Sequence, residues 1–267
     1  MNTCICIPTK RKTPVLTLES FSIPDDRKVL LICDPEVYQE HKEKYENDPK
    51  IMVVLGVRGM ARQASECYRL AALHGYDTFL RLDDDLQPDS FIHVDGYSVG
   101  LEELINEMQD CMEHFDITLV GLQMTSNRYW LDNNDQPYGR AYSHISGGVS
   151  LVKSSLDPTV FVHPLLRHSE DTWRTCSHRQ YDIDRGGKGL NGRVNFIGFN
   201  FSGCMEWSQG NKGNKSIIDS NQEDIESDKR LIEEHFSHLI EFGRLGDYDN
   251  GGKYRNYKKK YLRYKPN

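Results

Sequence analysis

The chain has 267 residues, 37% of them aliphatic or aromatic and 27% charged, which suits one large domain or two closely joined halves with a sizeable core and excludes a disordered or fibrous chain. No apolar run approaches the ~20 residues of a membrane span, and the start MNTCICIPTK lacks the basic and then long apolar order of a signal peptide, so a cytoplasmic protein is expected. The net charge of -7 is uneven: the last fifteen residues hold seven Lys or Arg and no acid, leaving -14 on residues 1–252, a distribution that argues against general nucleic-acid binding and suits a cation-dependent acidic pocket with a local polyanion contact at the tail.

In chain order, residues 2–8 (NTCICIP) read as a short strand stopped by proline, 28–33 (KVLLIC) as a buried strand, 36–45 as a helix and 50–55 (KIMVVL) as a third strand. Gly59 opens a helix with apolar spacing at Ala61, Ala64, Tyr68, Ala71 and Ala72, and Gly75 ends it. Residues 78–82 (TFLRL) form the strand that leads into Asp83, Asp84 and Asp85. Leu101, Leu104, Ile105, Met108, Met112 and Phe115 recur at helical spacing, and a strand over 117–124 follows.

Beyond this point the pattern is less regular. Residues 126–142 read as a polar loop rich in aromatic residues, 149–152 as a strand, 170–181 as a helix and 194–201 as a strand. Residues 186–189 (GGKG) read as a turn, and the glycine-rich 209–215 (QGNKGNK) has no periodicity. A capping box at 220–223 predicts a helix running to Phe242, with Gly243 as its stop. Tyr254, Tyr257, Tyr261 and Tyr264 are spaced for one face of a helix, whose favoured role is to dock on the body. Contact with nucleic-acid phosphates or with an anionic membrane surface are the other readings of this tail.

Strands alternating with helices predict an α/β fold with a mixed, largely parallel sheet, and ligands then bind at the carboxyl ends of the strands. The seven cysteines are odd in number and form no C-x-x-C pair, so neither a disulfide framework nor a zinc ribbon is expected. Cys4 and Cys6 alternate on one strand and share a face.

Three adjacent carboxylates at a strand end repel one another and need a counter-charge. Hard oxygen ligands suit Mg²⁺ or Mn²⁺, and the spacing lets Asp83 and Asp85 address one site. The bland reading is a loop in which one aspartate caps a helix and the others are solvated.

The series ICIPTKRK, GVRGMARQASECYRLAALHGYDTFLRLDDDLQP, SGGVSLVKSS and SEDTWRT, in that order over residues 4 to 175, resembles a GT-A-fold nucleotide-sugar glycosyltransferase. Within that fold it is most similar to the TET/JBP-associated glycosyltransferases, which modify DNA. The resemblance implies one domain: a nucleotide-sugar-binding half at 1–124, an acceptor-binding half at 125–215, and a C-terminal helix with the basic tail at 216–267. It implies a donor site with Thr9 and Arg11 at the first strand end, Arg58 and Arg62 at the Gly59 helix, and Asp83 and Asp84. Lys212 and Lys215 would lie on a loop that closes over the diphosphate. Asp83 and Asp85 would hold Mn²⁺ or Mg²⁺. Gly147, Gly148, Trp130 and Trp173 would border the acceptor, and Asp171, with Glu170, would supply the base. Against this stands an acidic first turn that merely favours the helix dipole.

The expected activity is transfer of a sugar from a nucleotide diphosphate sugar, UDP-sugar favoured, to a hydroxyl with inversion. By resemblance the acceptor is a hydroxymethylated pyrimidine in DNA. A glycan, glycolipid or protein acceptor is the alternative, and a nucleotidyltransferase or a non-catalytic nucleotide-sugar-binding protein are readings from other classes. His235 and His238 fall inside the expected helix and are not assigned as metal ligands; His144, His163 and His168 stay open.

Overall fold

The first strand, β1 (Thr3–Thr9), is buried along its whole length and organises the rest. In the computed structural model the described residues are 1–12, 14–123, 131, 136–141, 145–167, 169–200, 222–244 and 260–264. β2 (Val29–Cys33) and β4 (Thr78–Leu82) pair in parallel on either side of β1, and β3 (Ile51–Leu55) adds to β2 as a half-exposed edge. The chain thus builds outward from β1 to β3 and then returns to place β4 on the opposite side. Such a switch point leaves a crevice at the carboxyl ends of the strands.

Pro8 helps to open that crevice. Pairing of β1 with β2 continues to Thr9, but pairing with β4 ends at Cys6 opposite Arg81. Ile5 donates its N–H to Lys28 on the β2 side, so by strand alternation Pro8 lacks its N–H on the β4 side, where no ladder remains to be broken.

The second half of the sheet is mixed. β8 (Val149–Lys153) runs antiparallel to both β4 and β6 (Leu119–Gln123), and β9 (Asn191–Phe199) is parallel to β6. Two short strands, β5 (Phe91–His93) and β7 (Tyr138–Ala141), pair antiparallel with β9. β7 lies within the segment expected to be a loop. Strand order is β3-β2-β1-β4-β8-β6-β9-β5, with β7 on β9.

Alternating side chains divide between two layers, as a sheet covered on both faces requires. Ile5, Ile7, Leu31, Leu80 and Leu82 join the core beneath α4 (Leu101–Phe115) and α2 (Tyr38–Tyr45). Cys4, Cys6, Leu30, Ile32 and Phe79 face α3 (Met60–Leu73) on the other side. The Sγ atoms of Cys4 and Cys6 are 3.9 Å apart, and the six described cysteines are free and buried; Cys204 lies outside the described residues. A third cluster joins α5 (Glu170–Asp184) to α6 (Gln222–Phe236) through Trp173, Cys176, Ile232 and Phe236. A short helix, α1 (Leu16–Ser20), sits under the aspartate loop.

The C-terminal expectation needs correction. α6 ends at Phe236 rather than Phe242, and β10 (Ile240–Arg244) pairs antiparallel with β11 (Lys260–Tyr264). Tyr261 and Tyr264 therefore lie on a strand and not on one helical face. Their spacing fits a helix, but ladder pairing with a β-rich partner segment overrides so short a periodicity. Tyr254 and Tyr257 lie outside the described residues. Among the described residues no helix is long and apolar enough to cross a membrane.

Candidate active site

The aspartates stand where the sheet splits. β4 delivers Asp83, Asp84 and Asp85 beside the end of β1, and buried Thr17 of α1 holds the loop in place. Its hydroxyl donates to the Asp83 carbonyl at 2.6 Å and accepts from the Leu86 N–H at 2.9 Å.

Each carboxylate has an arginine or hydroxyl partner. Arg11 places Nε 2.9 Å from Asp84 Oδ1 and Nη2 3.2 Å from Asp85 Oδ2. Thr9 Oγ1 donates to Asp84 Oδ2 at 2.5 Å. His41, buried on α2, fixes the same loop through its Nε2, 2.7 Å from the Arg11 carbonyl. Burial pushes the Asp84 pKa up from its ordinary value, and Thr9 and Arg11 only partly offset this. Asp84 therefore points inward and braces the loop, while the Asp83 side chain remains 39% exposed.

Arg81 is the counter-charge that sequence reading missed. It is the fourth residue of the apolar strand TFLRL, its side chain is 2% exposed, and Nη1 lies 3.3 Å from Asp83 Oδ1. Burial opposes its charge, but Asp83, Glu170 and Asp171 more than compensate and raise its pKa. An arginine inside an otherwise apolar buried strand is the signal that could have found it, because such a group needs acidic partners.

Glu170 and Asp171 open α5, and Gly147–Gly148 join them to the aspartates. The Asp83 N–H donates to the Gly148 carbonyl at 3.0 Å, and the Gly147 N–H donates to Asp171 Oδ2 at 3.0 Å. Both glycines allow close approach of a carboxylate. A Cβ on Gly147 would lie 2.8 Å from Asp171 Oδ1, and one on Gly148 would lie 3.1 Å from Asp83 Oδ2 and the Phe199 ring. Buried Arg174, one helical turn into α5, donates to the Ser146 carbonyl at 3.0 Å and locks this segment against the helix.

Burial, reinforced by the neighbouring Asp171 charge and a hydrogen bond with its side chain, pushes the Glu170 pKa up to about 8 despite Arg81. Its neighbour Asp171 accepts the Gly147 N–H.

Other expected site residues fall elsewhere. Trp173 is 6% exposed, donates its indole N–H to the Phe161 carbonyl at 3.0 Å and packs edge-on against Phe236. It is a core residue that anchors α5 to α6, which corrects its expected place at the acceptor; its position one turn into α5 turns it to the helix-packing face. Arg58 and Arg62 line a cavity of about 420 Å³ together with Arg167, and none of the aspartates lines it. His163 packs against Trp173 and His235, and His238 lies beyond the end of α6. Trp130, Lys212, Lys215, His144 and His168 lie outside the described residues.

For a divalent ion the donor set is suitable. Asp83 and Asp85 offer hard oxygens at one strand end, and the missing Cβ of Gly148 keeps the space beside Asp83 Oδ2 clear. Among the described residues no group of three or more His, Cys, Asp or Glu is placed to hold a metal ion.

No family model matches the sequence, and no curated protein matches it. Solved structures do match the fold. S. aureus TarS 1–349 in complex with UDP-GlcNAc is similar with a TM-score of 0.55 at 14% identity, over 87% of this chain and 65% of that one. Another structure of S. aureus TarS 1–349 gives a TM-score of 0.50 at 14% identity, over 89% of this chain and 72% of that one. The fold is that of the GT-A nucleotide-sugar glycosyltransferases. At this identity the likeness establishes architecture only, and the chain spans between 65% and 72% of the matched lengths. The GT-A expectation from the motif series thus holds for the fold.

Proposed function

We propose that this chain is a glycosyltransferase that moves a sugar from a nucleotide diphosphate sugar, a UDP-sugar for preference, to an acceptor hydroxyl with inversion. The observation that carries the reading is the bridge Asp83–Gly148–Gly147–Asp171, which brings two acidic groups 88 positions apart in sequence against one two-glycine segment.

In this reading residues 1–124 bind the donor. Thr9 and Arg11, at the β1 end, border the nucleoside, and Arg11 exchanges its pairing with Asp84 and Asp85 for contact with the donor's phosphates. A Mn²⁺ or Mg²⁺ ion held by Asp83 and Asp85 would act as a Lewis acid toward the diphosphate leaving group. Lys212 and Lys215 would close over the same group. Residues 125–215 present the acceptor, with Gly147 and Gly148 as its floor.

Asp171 is the general base. It takes the proton from the acceptor hydroxyl while that oxygen bonds to the anomeric carbon. The anomeric carbon–oxygen bond breaks in the same displacement, and its electron pair leaves with the diphosphate. Glu170, protonated near neutral pH, hydrogen-bonds to Asp171 and orients it without adding a second charge. Arg81 holds Asp83 and Asp171 in register by serving both.

From the motif series, the acceptor is a hydroxymethylated pyrimidine in DNA, with the basic tail as a backbone contact. The test is a donor assay with UDP-sugars and Mn²⁺, followed by labelled transfer to hydroxymethylcytosine DNA or to glycan acceptors. Release of UDP is expected. Release of pyrophosphate from nucleoside triphosphates, with no UDP from any UDP-sugar, would identify a nucleotidyltransferase instead. Binding without turnover would identify a nucleotide-sugar-binding protein. Labelling of a glycan and not of DNA would replace the acceptor.

A further inference from the structure

The cavity beside α3 is chemically distinct from the aspartate cleft. Its volume is about 420 Å³, and it is lined by Arg58, Gly59, Met60 and Arg62 on one side and by the 164–167 loop, ending in Arg167, on the other. Among the described residues no acidic one lines it. Three guanidinium groups around one cavity are the arrangement that binds phosphate bidentately.

The partners these arginines have now are weak ones. Arg58 pairs with Glu36, and Arg167 lies 3.5 Å from Asp224, with both arginine side chains 68% exposed. Exposed pairs of this kind contribute little and exchange readily. Arg62 is exposed, and among the described residues its side chain has no ion-pair or hydrogen-bond partner.

The backbone is arranged to the same end. Gly59 adopts φ +99°, a conformation that L side chains resist, and caps the 14-residue α3 without any side-chain cap bond. The first amides of α3 are therefore left for a ligand, and a Cβ at Gly59 would meet nothing within 4 Å. Behind Met60 lies Arg81, 2% exposed, with Nη2 directed at Met60 Sδ at 3.7 Å and with Nε lacking a hydrogen-bond partner.

Position decides which phosphate this is. Half of the wall is the loop that runs straight into Glu170 and Asp171. Asp228 of α6 pins that loop by accepting from the Arg167 N–H at 3.2 Å and the Ser169 N–H at 3.0 Å. Thr9, Arg11, Asp84 and Asp85, the group assigned to the nucleotide, take no part in the lining.

We propose that the cavity formed by Arg58, Arg62, Arg167 and the N-terminus of α3 binds a phosphate ester carried by the acceptor, beside the base that deprotonates its hydroxyl. This rests on the glycosyltransferase reading above and narrows its acceptor to a phosphate-bearing one. It also moves Arg58 and Arg62 from the donor to the acceptor.

The test is calorimetric titration of inorganic phosphate into the full chain, with and without saturating UDP and Mn²⁺, for wild type, R62Q and R167Q. The substituted side chains are exposed, and thermal melts confirm folding. Phosphate should bind wild type with or without UDP, and each variant should weaken it about tenfold, the loss of one charge-assisted contact, while UDP affinity stays unchanged. Two results would overturn the proposal: no phosphate binding by wild type, or competition between phosphate and UDP with matching loss of UDP affinity in R167Q. The second would return the cavity to the donor's diphosphate. If wild type binds phosphate at this site but no UDP-sugar, the anion site stands and the glycosyltransferase reading fails.

Discussion

The two acidic clusters that meet across Gly147–Gly148 are neutralised in different ways. Asp83–Asp85 have arginines close at hand: Arg11 reaches Asp84 and Asp85, and Arg81 reaches Asp83. Glu170–Asp171 lie in the field of two buried arginines, Arg81 and Arg174, Asp171 accepts the Gly147 N–H, and burial with the neighbouring Asp171 charge holds the Glu170 pKa above its ordinary value. The first cluster is braced by ion pairs that tie it to the segment after β1 and to β4, whereas in the second, burial and the neighbouring Asp171 charge raise the proton affinity of Glu170.

The sharpest way to break this contrast is to remove the proton acceptor alone. Asp171→Asn should lower transfer by about 10² to 10⁴-fold, the range for a lost general base, while calorimetry shows UDP binding unchanged. Full transfer by the variant would end the assignment. On the other cluster the effect should fall on binding. Asp85→Asn should weaken Mn²⁺-dependent UDP affinity by at least about 10 to 100-fold, the loss seen when even the outer support of a metal ligand is removed. Equal UDP affinity in the presence of Mn²⁺ and of EDTA, before and after the substitution, would show that Arg11 and Arg81 supply all the counter-charge.

A smaller effect tests the bridge itself. Gly147→Ala would set a Cβ 2.8 Å from Asp171 Oδ1 and displace the base without changing its chemistry. Transfer should fall by up to about 10²-fold, the cost of a displacement near 1 Å, with donor binding retained. Activity equal to wild type would mean that Asp171 does not need its place against Gly147.

How much of this was legible beforehand follows the same division. The parallel half announces itself: buried strands such as VLLIC and TFLRL have no competing periodicity, and α3 and α4 carry clean helical spacing. The motif order names Asp83, Asp85, Gly147, Gly148 and Asp171, and the structure sets Asp83 and Asp171 against Gly148 and Gly147. What was not legible depends on long-range pairing. β5 and β7 are three and four residues long and exist only because β9 offers them an edge. The tyrosine spacing near the C-terminus imitates a helix, yet residues 260–264 pair with β10. Trp173 lies beside the acidic pair in sequence, but it is buried in the cluster that joins α5 to α6. Arg81 acquires meaning only when Asp83 and α5 are brought to it.

The subtlest test concerns Glu170, whose proton is the feature that separates the clusters. Its folded pKa of about 8 lies above the ordinary glutamate value, so the folded chain binds the proton more tightly than the unfolded chain does. The associated stability is fully present below the unfolded pKa and is lost as pH rises through about 8. Glu170→Gln keeps a hydrogen-bond donor toward Asp171 and cannot ionise. Thermal melts of the two proteins should therefore differ least near pH 5, and wild type should fall behind the variant as pH approaches 9. Parallel curves across that window would mean that Glu170 is ionised throughout, and that Arg81 serves the second cluster as fully as Arg11 serves the first.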